Sequence, residues 1–255
     1  TWTFSDTCGN TSSVSQTITV LDDTAPVAPA APADVNVQCA DDVPAPVDLT
    51  ATDNCDGDIT VSPTANITPG NCLNDFVMVR TWTFTDTCGN TSSVSQTITV
   101  LDTIAPVPDP APADLNLQCA SDVPPPVDLT AIDNCDGSIT VSPTANITPG
   151  NCLNDFVMVR TWTFTDTCGN TSSVSQTITV LDTIAPSAPT PPADLNLQCA
   201  SDVPLPVDLT ATDNCDGDIT VSPTTNITPG NCLNDFVMVR TWTFTDTCGN
   251  TSSVS

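Results

Sequence analysis

Residues 76–106, FVMVRTWTFTDTCGNTSSVSQTITVLDTIAP, decide the fold of this chain. Two runs of alternating residues, 77–86 and 92–101, flank the turn Cys88-Gly89-Asn90, a pattern that predicts a β-hairpin. The remaining residues around it are expected to cover the apolar side of this hairpin. The residues predicted to lie on that side are Phe76, Met78, Trp82, Phe84, Val94, Ile98 and Val100.

The hairpin sequence recurs at a constant interval along the chain, which the tryptophans at positions 2, 82, 162 and 242 mark. Residues 59–101 recur without change as residues 139–181. Repetition on this scale indicates a tandem array of structural units. We expect a window on a longer chain, in which positions 1–21 are the last hairpin of a truncated upstream repeat. Repeat 1 then spans 22–101, the second repeat spans 102–181 and the third spans 182–255, with its last strand truncated.

The composition points away from several kinds of partner. Of the charged residues, 30 are acidic, all of them Asp, and only three are basic, so the net charge is −27. This charge argues against nucleic acid and anionic membranes and favours cations. No apolar run approaches the ~20 residues that a membrane-spanning helix needs. The chain has no His, Lys, Glu or Tyr.

Short alternating segments lie between the hairpins. In repeat 1 they are residues 35–39, 47–51 and 59–61 and a short segment around Ile67, separated by turn signals. The proline-rich residues 22–33 predict a stiff connector and not a central strand. No helical period is visible. The pattern predicts an all-β protein of antiparallel β-sandwich repeats.

Four cysteines fall in each complete repeat, at Cys39, Cys55, Cys72 and Cys88 in the first. A regular even number indicates a disulfide framework and an oxidising, extracellular location. The alternative, a zinc site, is disfavoured because CxxC pairs and histidines are absent. The cysteines alone allow three connectivities in each repeat.

Three motifs resemble a known family: DNC at 53–55, TWTFTDTCGN at 81–90 and the exit VLDTIAP at 100–106. They are similar to the hyalin-repeat-like (HYR-like), immunoglobulin-like modules of giant Bacteroidetes cell-surface adhesins linked to gliding motility and type IX secretion. The resemblance covers each whole repeat and implies an immunoglobulin-like sandwich. It differs at Val100-Leu101, where the hyalin form often carries a cysteine.

In such a sandwich, the loop after the second strand and the turn of the last hairpin lie at the upstream end, where the chain enters. The first turn and the turn before the hairpin lie at the downstream end. This arrangement predicts one bridge at each end of every repeat, each contributing on the order of 3–4 kcal/mol. The predicted disulfides are Cys39–Cys72, Cys55–Cys88, Cys119–Cys152, Cys135–Cys168, Cys199–Cys232 and Cys215–Cys248.

The upstream end of each repeat is also expected to collect four carboxylates. Two come from the DNCDG loop, one from the hairpin turn and one from the connector. Each repeat has only one Arg to balance these carboxylates, so they would repel each other unless a cation lay among them. Ca²⁺ accepts six to eight oxygens in loose geometry. We therefore predict a Ca²⁺ site at each junction. The alternative is that these residues only form turns and a solvated surface. The predicted ligands are Asp22, Asp53, Asp56, Asp86, Asp102, Asp133, Asp136, Asp166, Asp182, Asp213, Asp216 and Asp246.

Three further expectations concern single positions. Trp82 is predicted to lie in the core. Arg80 is predicted to stack on Trp82 and to pair with Asp75 or Asp48. The resemblance also implies O-glycosylation at the Asp-Thr-apolar sites Thr24, Thr103 and Thr183.

The residue inventory argues against catalysis, because no nucleophile–base pair can be built without His, Lys, Glu or Tyr once every Cys is assigned to a bridge. The sequence favours a structural role: an extended rod of disulfide-stapled repeats that forms the shaft of an extracellular fibre or cell-surface adhesin. Its expected partners are neighbouring repeats, calcium and, where shafts form a filament, like chains. The alternative is a multivalent module with a glycan- or protein-binding site on each repeat.

Overall fold

The computed structural model describes residues 1–255 and divides into two compact units, Thr1–Ile104 and Ala105–Ser255. Unit 1 contains the first hairpin and repeat 1. Unit 2 contains most of repeat 2, from Ala105 onward, and all of repeat 3. The bounds of the repeats themselves stay a prediction.

Unit 1 consists of eight strands and one 3₁₀-helix, Ala40–Asp42. The first strand of repeat 1 is shorter than predicted because Cys39 leads directly into this 3₁₀-helix. The strands are β1 (Trp2–Ser5), β2 (Thr11–Val14), β3 (Val35–Val37), β4 (Leu49–Asp53), β5 (Gly57–Val61), β6 (Thr64–Pro69), β7 (Asp75–Thr85) and β8 (Thr91–Leu101).

The strands of repeat 1 form two sheets. One has the order β3-β8-β7-β6, and the other pairs β4 with β5. A bridge between Val27 and Thr52 brings the connector to the edge of the second sheet, where proline is tolerated because an edge strand has no second partner. All pairs are antiparallel except β3 with β8, which is parallel. The predicted antiparallel sandwich therefore holds for every strand but the first.

The long hairpin forms as the alternation predicts. β7 and β8 pair from Asp75 opposite Leu101 to Thr85 opposite Thr91. Gly89 in the turn has a φ of 90°, a conformation that glycine adopts without a steric penalty.

The hairpin supplies the core. Of the predicted apolar face, Trp82, Phe84, Ile98 and Val100 are fully buried. The other three residues, Phe76, Met78 and Val94, are partly buried. Trp82 also donates a hydrogen bond from its indole nitrogen to the carbonyl oxygen of Val47 at 2.9 Å, so its polar atom is satisfied inside the core.

Unit 2 repeats this architecture twice. Its strands are β9 (Val107–Pro108), β10 (Leu115–Leu117), β11 (Leu129–Asp133), β12 (Gly137–Val141), β13 (Thr144–Pro149), β14 (Asp155–Thr165), β15 (Thr171–Leu181), β16 (Leu209–Asp213), β17 (Gly217–Val221), β18 (Thr224–Pro229), β19 (Phe236–Thr245) and β20 (Thr251–Val254). In the first sandwich the sheets have the orders β10-β15-β14-β13 and β12-β11-β9. In the second, β16 pairs with β17, and β19 lies between β18 and β20. The 3₁₀-helices are Ala120–Asp122 and Ala200–Asp202.

The all-β class and the sandwich-like repeats are confirmed. Each core contains a Trp and a Phe of the hairpin packed on a buried alanine of the opposite sheet, as Trp162 and Phe164 pack with Ala131. None of the helices has the length and apolar character needed to cross a membrane. The arrangement of the repeats as a rod stays a prediction.

Candidate functional site

Two disulfides join repeat 2 to repeat 3 within unit 2. Cys119 is bonded to Cys215 and Cys152 to Cys248, with Cα atoms 5.2 and 5.1 Å apart. Each bond spans 96 residues. Cys119 and Cys152 lie at the downstream end of repeat 2, after β10 and in the turn before β14. Their partners lie in the β16–β17 and β19–β20 turns at the upstream end of repeat 3.

This connectivity corrects the predicted pairing within repeats: the bonds Cys119–Cys152 and Cys215–Cys248 do not form. The sheet order explains why. Cys119 follows β10 at one edge of the four-stranded sheet, and Cys152 lies in the turn between β13 and β14 near the other edge. Cys215 and Cys248 lie in turns of opposite sheets. A disulfide needs Cα atoms within about 7 Å, and the pairs across the junction, at 5.2 and 5.1 Å, meet this limit.

The remaining cysteines follow the same logic. Cys55 and Cys88 are exposed free thiols, as are Cys199 and Cys232, so the predicted bonds Cys55–Cys88 and Cys199–Cys232 are wrong. Cys8 is also free. Besides the four cysteines of the two bonds above, four more are disulfide-bonded: Cys39, Cys72, Cys135 and Cys168. The pairings Cys39–Cys72 and Cys135–Cys168 stay predictions, which their equivalents in unit 2 argue against.

Asn154 forms hydrogen bonds to both repeats at the junction, beside the disulfides. It is 5% exposed, and its side-chain oxygen accepts a hydrogen bond from the backbone N–H of Ala120 at 2.9 Å. Its carbonyl oxygen accepts one from the backbone N–H of Asp182 at 3.0 Å, and its side-chain nitrogen lies 3.4 Å from a carboxylate oxygen of Asp216. Sequence reasoning missed this residue because nothing in the segment NCLND distinguishes a junction contact from an ordinary turn.

Two of the predicted ligands of repeat 3 converge in the junction. Asp182 and Asp213 are 3% and 5% exposed, and a carboxylate oxygen of each lies within 4.8 Å of the other and of the Cys215 sulfur. In each residue Oδ1 accepts backbone N–H donors, from Ile184 at 3.1 Å and from Cys215 at 2.9 Å respectively. Oδ2 is buried in both and accepts no hydrogen bond.

The other two predicted ligands of repeat 3 are engaged elsewhere. The Asp216 carboxylate accepts hydrogen bonds from the backbone N–H and the hydroxyl of Thr247. Asp246 accepts from the backbone and side-chain nitrogens of Asn250, both at 2.8 Å. Asp216 thus joins the two upstream loops of the repeat, whereas Asp246 closes its own hairpin turn, and neither belongs to the buried pair. Asp136 and Asp166 accept the equivalent bonds in repeat 2.

Unit 1 contains an equivalent pair. Oxygens of Asp22 and Asp53 lie within 4.8 Å of each other and of the Cys55 sulfur, and each carboxylate again has one buried oxygen that accepts no hydrogen bond. Desolvation raises the pKa of the Cys55 thiol, and the negative charge of Asp22 raises it further. Of the corresponding residues Asp102 and Asp133, the first accepts the backbone N–H of Ile104 and the second that of Cys135.

The remaining two ligands predicted in repeat 1 are hydrogen-bonded like their equivalents in repeat 3. Asp56 accepts from the hydroxyl of Thr87 at 3.0 Å. Asp86 accepts from the side-chain nitrogen of Asn90 at 2.7 Å. Desolvation raises the pKa of Asp86, but hydrogen bonds from Asn90, Gly89 and Cys88 together outweigh it, so the pKa lies below its ordinary value of 3.8.

The comparison with known families agrees with the repeat structure. The family described as "HYR-like domain with 4 cysteines" matches residues 27–100, 107–180 and 187–255, which together make up most of the chain. The chain belongs to this family. The predicted HYR-like repeats are thereby confirmed, whereas their setting in Bacteroidetes adhesins stays a prediction.

A curated protein supports the same relationship. Hyalin of Lytechinus variegatus is 31% identical to the chain over 226 residues, which is 83% of this chain and 40% of that relative. The chain therefore spans less than half the length of this relative. The disulfide-bonded HYR-like repeats and the likeness to Hyalin together indicate an extracellular protein.

The lone arginine of each HYR-like repeat donates a hydrogen bond to a backbone carbonyl oxygen and not to the predicted carboxylates. The predicted stacking of Arg80 on Trp82 stays a prediction. Arg80 is buried and donates a hydrogen bond to the carbonyl oxygen of Pro44 at 2.6 Å. Asp75 instead accepts from the backbone N–H of Asn71, and Asp48 from the hydroxyl of Ser62. The guanidinium group thus connects the proline-rich segment before β4 to the hairpin through a hydrogen bond to a carbonyl oxygen of that segment.

The three threonines of the predicted glycosylation sites, Thr24, Thr103 and Thr183, are exposed. The hydroxyl of Thr103 lies 3.3 Å from the side-chain oxygen of Gln38, and Thr183 bonds to Gln118 in the same way. Their glycosylation stays a prediction.

Proposed function

We propose that the chain is part of an extracellular structural shaft, in which covalent bonds and cations at the junctions hold successive HYR-like repeats together. The observation that carries the proposal is the pair of disulfides, Cys119–Cys215 and Cys152–Cys248, both of which cross from one repeat to the next. Bonds within repeats would stabilise each repeat and leave the linker free to bend. Two bonds across one junction oppose both bending and separation.

The crossing bonds also stabilise the folded repeats. Closing a loop of about 100 residues removes about 4.7 kcal/mol of chain entropy from the unfolded state in the loop-entropy model. The second bond closes a shorter loop, so its contribution is somewhat smaller, on the order of 4 kcal/mol. Both sandwiches of unit 2 share this gain because each provides one end of each bond.

A cation at the buried carboxylate pair is the second part of the proposal. Two desolvated carboxylates repel each other, and a buried charge without a partner is costly. The free oxygens of Asp182 and Asp213 are hard donors, whereas the sulfur beside them belongs to the neutral Cys119–Cys215 disulfide. This donor set suits Ca²⁺ completed by water. With two carboxylates fixed by the fold, we expect binding in the range of extracellular calcium modules, about 10⁻⁴–10⁻³ M.

Calcium binding is tested by thermal unfolding in EGTA and in 10 mM Ca²⁺. With a dissociation constant of about 1 mM, one site adds about 1.4 kcal/mol to the free energy of unfolding, so the melting temperature rises. The variant Asp182→Asn/Asp213→Asn removes the pair of unit 2 and should reduce the shift. Asp194→Asn/Asp218→Asn changes two exposed carboxylates and is the matched control. Equal shifts in both variants would exclude the site.

The shaft is tested by small-angle X-ray scattering of the oxidised protein and of a variant in which Cys119, Cys152, Cys215 and Cys248 are serine. We expect the Kratky profile of the variant to show the added flexibility of a hinged chain. Identical profiles would mean that the disulfides do not stiffen the junction.

The setting of this shaft is also part of the proposal. The resemblance to Bacteroidetes adhesins favours a bacterial cell surface, where a shaft holds an adhesive domain away from the cell and like chains can associate. A binding module on each repeat gains no support from the aromatic residues, because Trp82 and Phe84 and their equivalents in repeat 2 are buried.

A further inference from the structure

Four of the free thiols form two pairs, and each pair occupies the positions that two bonded cysteines occupy at the junction of repeats 2 and 3. Cys199 and Cys232 occupy the positions in repeat 3 that Cys119 and Cys152 occupy in repeat 2, at the downstream end, and both are exposed. We call them the downstream thiol pair. Cys55 and Cys88, the upstream thiol pair, lie in repeat 1 at the positions that Cys215 and Cys248 occupy in repeat 3, and are exposed as well.

One hydrogen bond of the bonded junction is also present beside the downstream thiols. Asn234 accepts a hydrogen bond from the backbone N–H of Ala200 at 3.1 Å. Asn154 makes the same contact with Ala120 beside the bonded cysteines, at 2.9 Å. This hydrogen bond joins the segment that follows Cys199 to the turn that contains Cys232.

One contact of the bonded junction is also present beside the upstream pair. The side-chain nitrogen of Asn54 lies 3.1 Å from the sulfur of Cys55, and that of Asn214 lies 2.8 Å from the sulfur of bonded Cys215. In the junction, Asn214 also contacts the Cys119 sulfur, at 3.3 Å. Asn54 thus stands where it can contact an incoming cysteine.

We propose that the downstream thiol pair bonds covalently to the upstream thiol pair of another HYR-like repeat of this type, Cys199 to the Cys55 position and Cys232 to the Cys88 position. The partner is either a second copy of the chain, which gives a head-to-tail polymer, or a repeat that follows in a longer chain. The spacing of both pairs is compatible with two simultaneous bonds because their equivalents form both bonds at once. After the first bond forms, the second is intramolecular and gains from the high effective concentration.

The chemistry requires an oxidant, which a small extracellular disulfide such as oxidised glutathione supplies. The thiolate of one cysteine attacks the small disulfide, forms a mixed disulfide and releases one small thiol. The thiolate of the partner cysteine then displaces the second small thiol. For each bond, two protein thiols lose two protons and two electrons, and one small disulfide is reduced to two thiols.

The test incubates the protein with oxidised glutathione and follows it on non-reducing gels, with peptide mapping by mass spectrometry. We expect a ladder of covalent multimers with Cys199–Cys55 and Cys232–Cys88 peptides. The variants Cys199→Ser/Cys232→Ser and Cys55→Ser/Cys88→Ser should each stay monomeric. A mixture of the two should give dimers and no longer species, because each variant keeps one thiol pair. The control Cys8→Ser should polymerise like the unmodified protein.

A second protein, lengthened in phase by one complete repeat, distinguishes the two sources of the partner. If the partner is the following repeat, peptide mapping will find Cys199 and Cys232 bonded to cysteines of the added repeat in the same chain. These two cysteines then form no bond between chains. Bonding in either protein supports the proposal. A Cys199–Cys232 bond, linkage through Cys8, or thiols that remain free in both proteins would overturn it.

Discussion

The two disulfides between repeats 2 and 3 predict an unusual response to stretching. Consider a chain in which Cys119, Cys152, Cys215 and Cys248 are kept and all other cysteines are serine. When both repeats unfold under force, the tether that enters at Cys119 has two routes to Cys248. It crosses the first bond to Cys215 and follows the chain onward, or it follows the chain to Cys152 and crosses the second bond.

The bonds therefore hide 96 residues from the stretched chain, because each route bypasses the segment that one bond spans. At ~3.5 Å per residue, the hidden contour length is about 340 Å. Either bond alone hides the same length, since each spans an equal segment. Replacing Cys119 and Cys215 with serine should leave the final contour length unchanged. Replacing all four cysteines should lengthen it by about 340 Å. Single-molecule force spectroscopy resolves such a difference.

Bonds within each repeat would give a different result. Cys119–Cys152 and Cys215–Cys248 would each hide only the short segment between their own cysteines, about 115 Å of contour length. Replacing Cys119 and Cys215 would break both bonds, so the contour length would increase by about 230 Å in that variant. Replacing all four cysteines would then add nothing more. An increase of this size after the first replacement would refute the connectivity between repeats and the reasoning that depends on it.

Two further predictions concern single side chains. Asn154→Ala leaves the partly buried backbone N–H of Ala120 without its acceptor. Chemical denaturation with the disulfides intact should therefore show a loss of about 1–3 kcal/mol in the free energy of unfolding. The exposed neighbour Asn151→Ala is the control, and equal losses in the two variants would contradict the role of Asn154. Asp86 has a pKa below 3.8 in the folded chain, so its ionised form stabilises the fold above that pH and this contribution is lost as the pH falls through the lower, folded value. The stability difference between the unmodified protein and Asp86→Asn should shrink over that acidic range, and a difference that stays constant with pH would contradict the hydrogen-bonded role of this carboxylate.

The local structure was readable from the sequence because it depends on contacts near in sequence. Alternation along residues 76–101 predicted which side chains of the hairpin are buried, and Cys-Gly-Asn predicted its turn. Trp82 is in the core as expected. The parallel pairing of β3 with β8 was not predictable, because such a short strand carries no signal of its direction.

The candidate site was predictable in composition but not in arrangement. The cysteines and aspartates at the ends of the repeats were identified by their spacing. Yet Asp53 and Asp56, which belong to one short loop, have different roles: Asp53 lies beside Asp22 in the partly buried carboxylate pair, while Asp56 bonds to Thr87. The path of the loop decides which of these two aspartates lies against the connector. The sequence does not show this path, because both positions have the same residue type.

The sequence by itself determined that this is a tandem array of all-β, four-cysteine repeats, because period, alternation and cysteine count are properties of the chain. Only the tertiary structure decided which cysteines bond. Cys152 is much nearer to Cys119 along the chain than Cys215, which is 96 residues away, and sequence distance favours the nearer partner. Strand order places Cys119 and Cys152 on opposite sides of one sheet and brings the end of one sandwich against the start of the next, so the distant partner is the one within bonding distance.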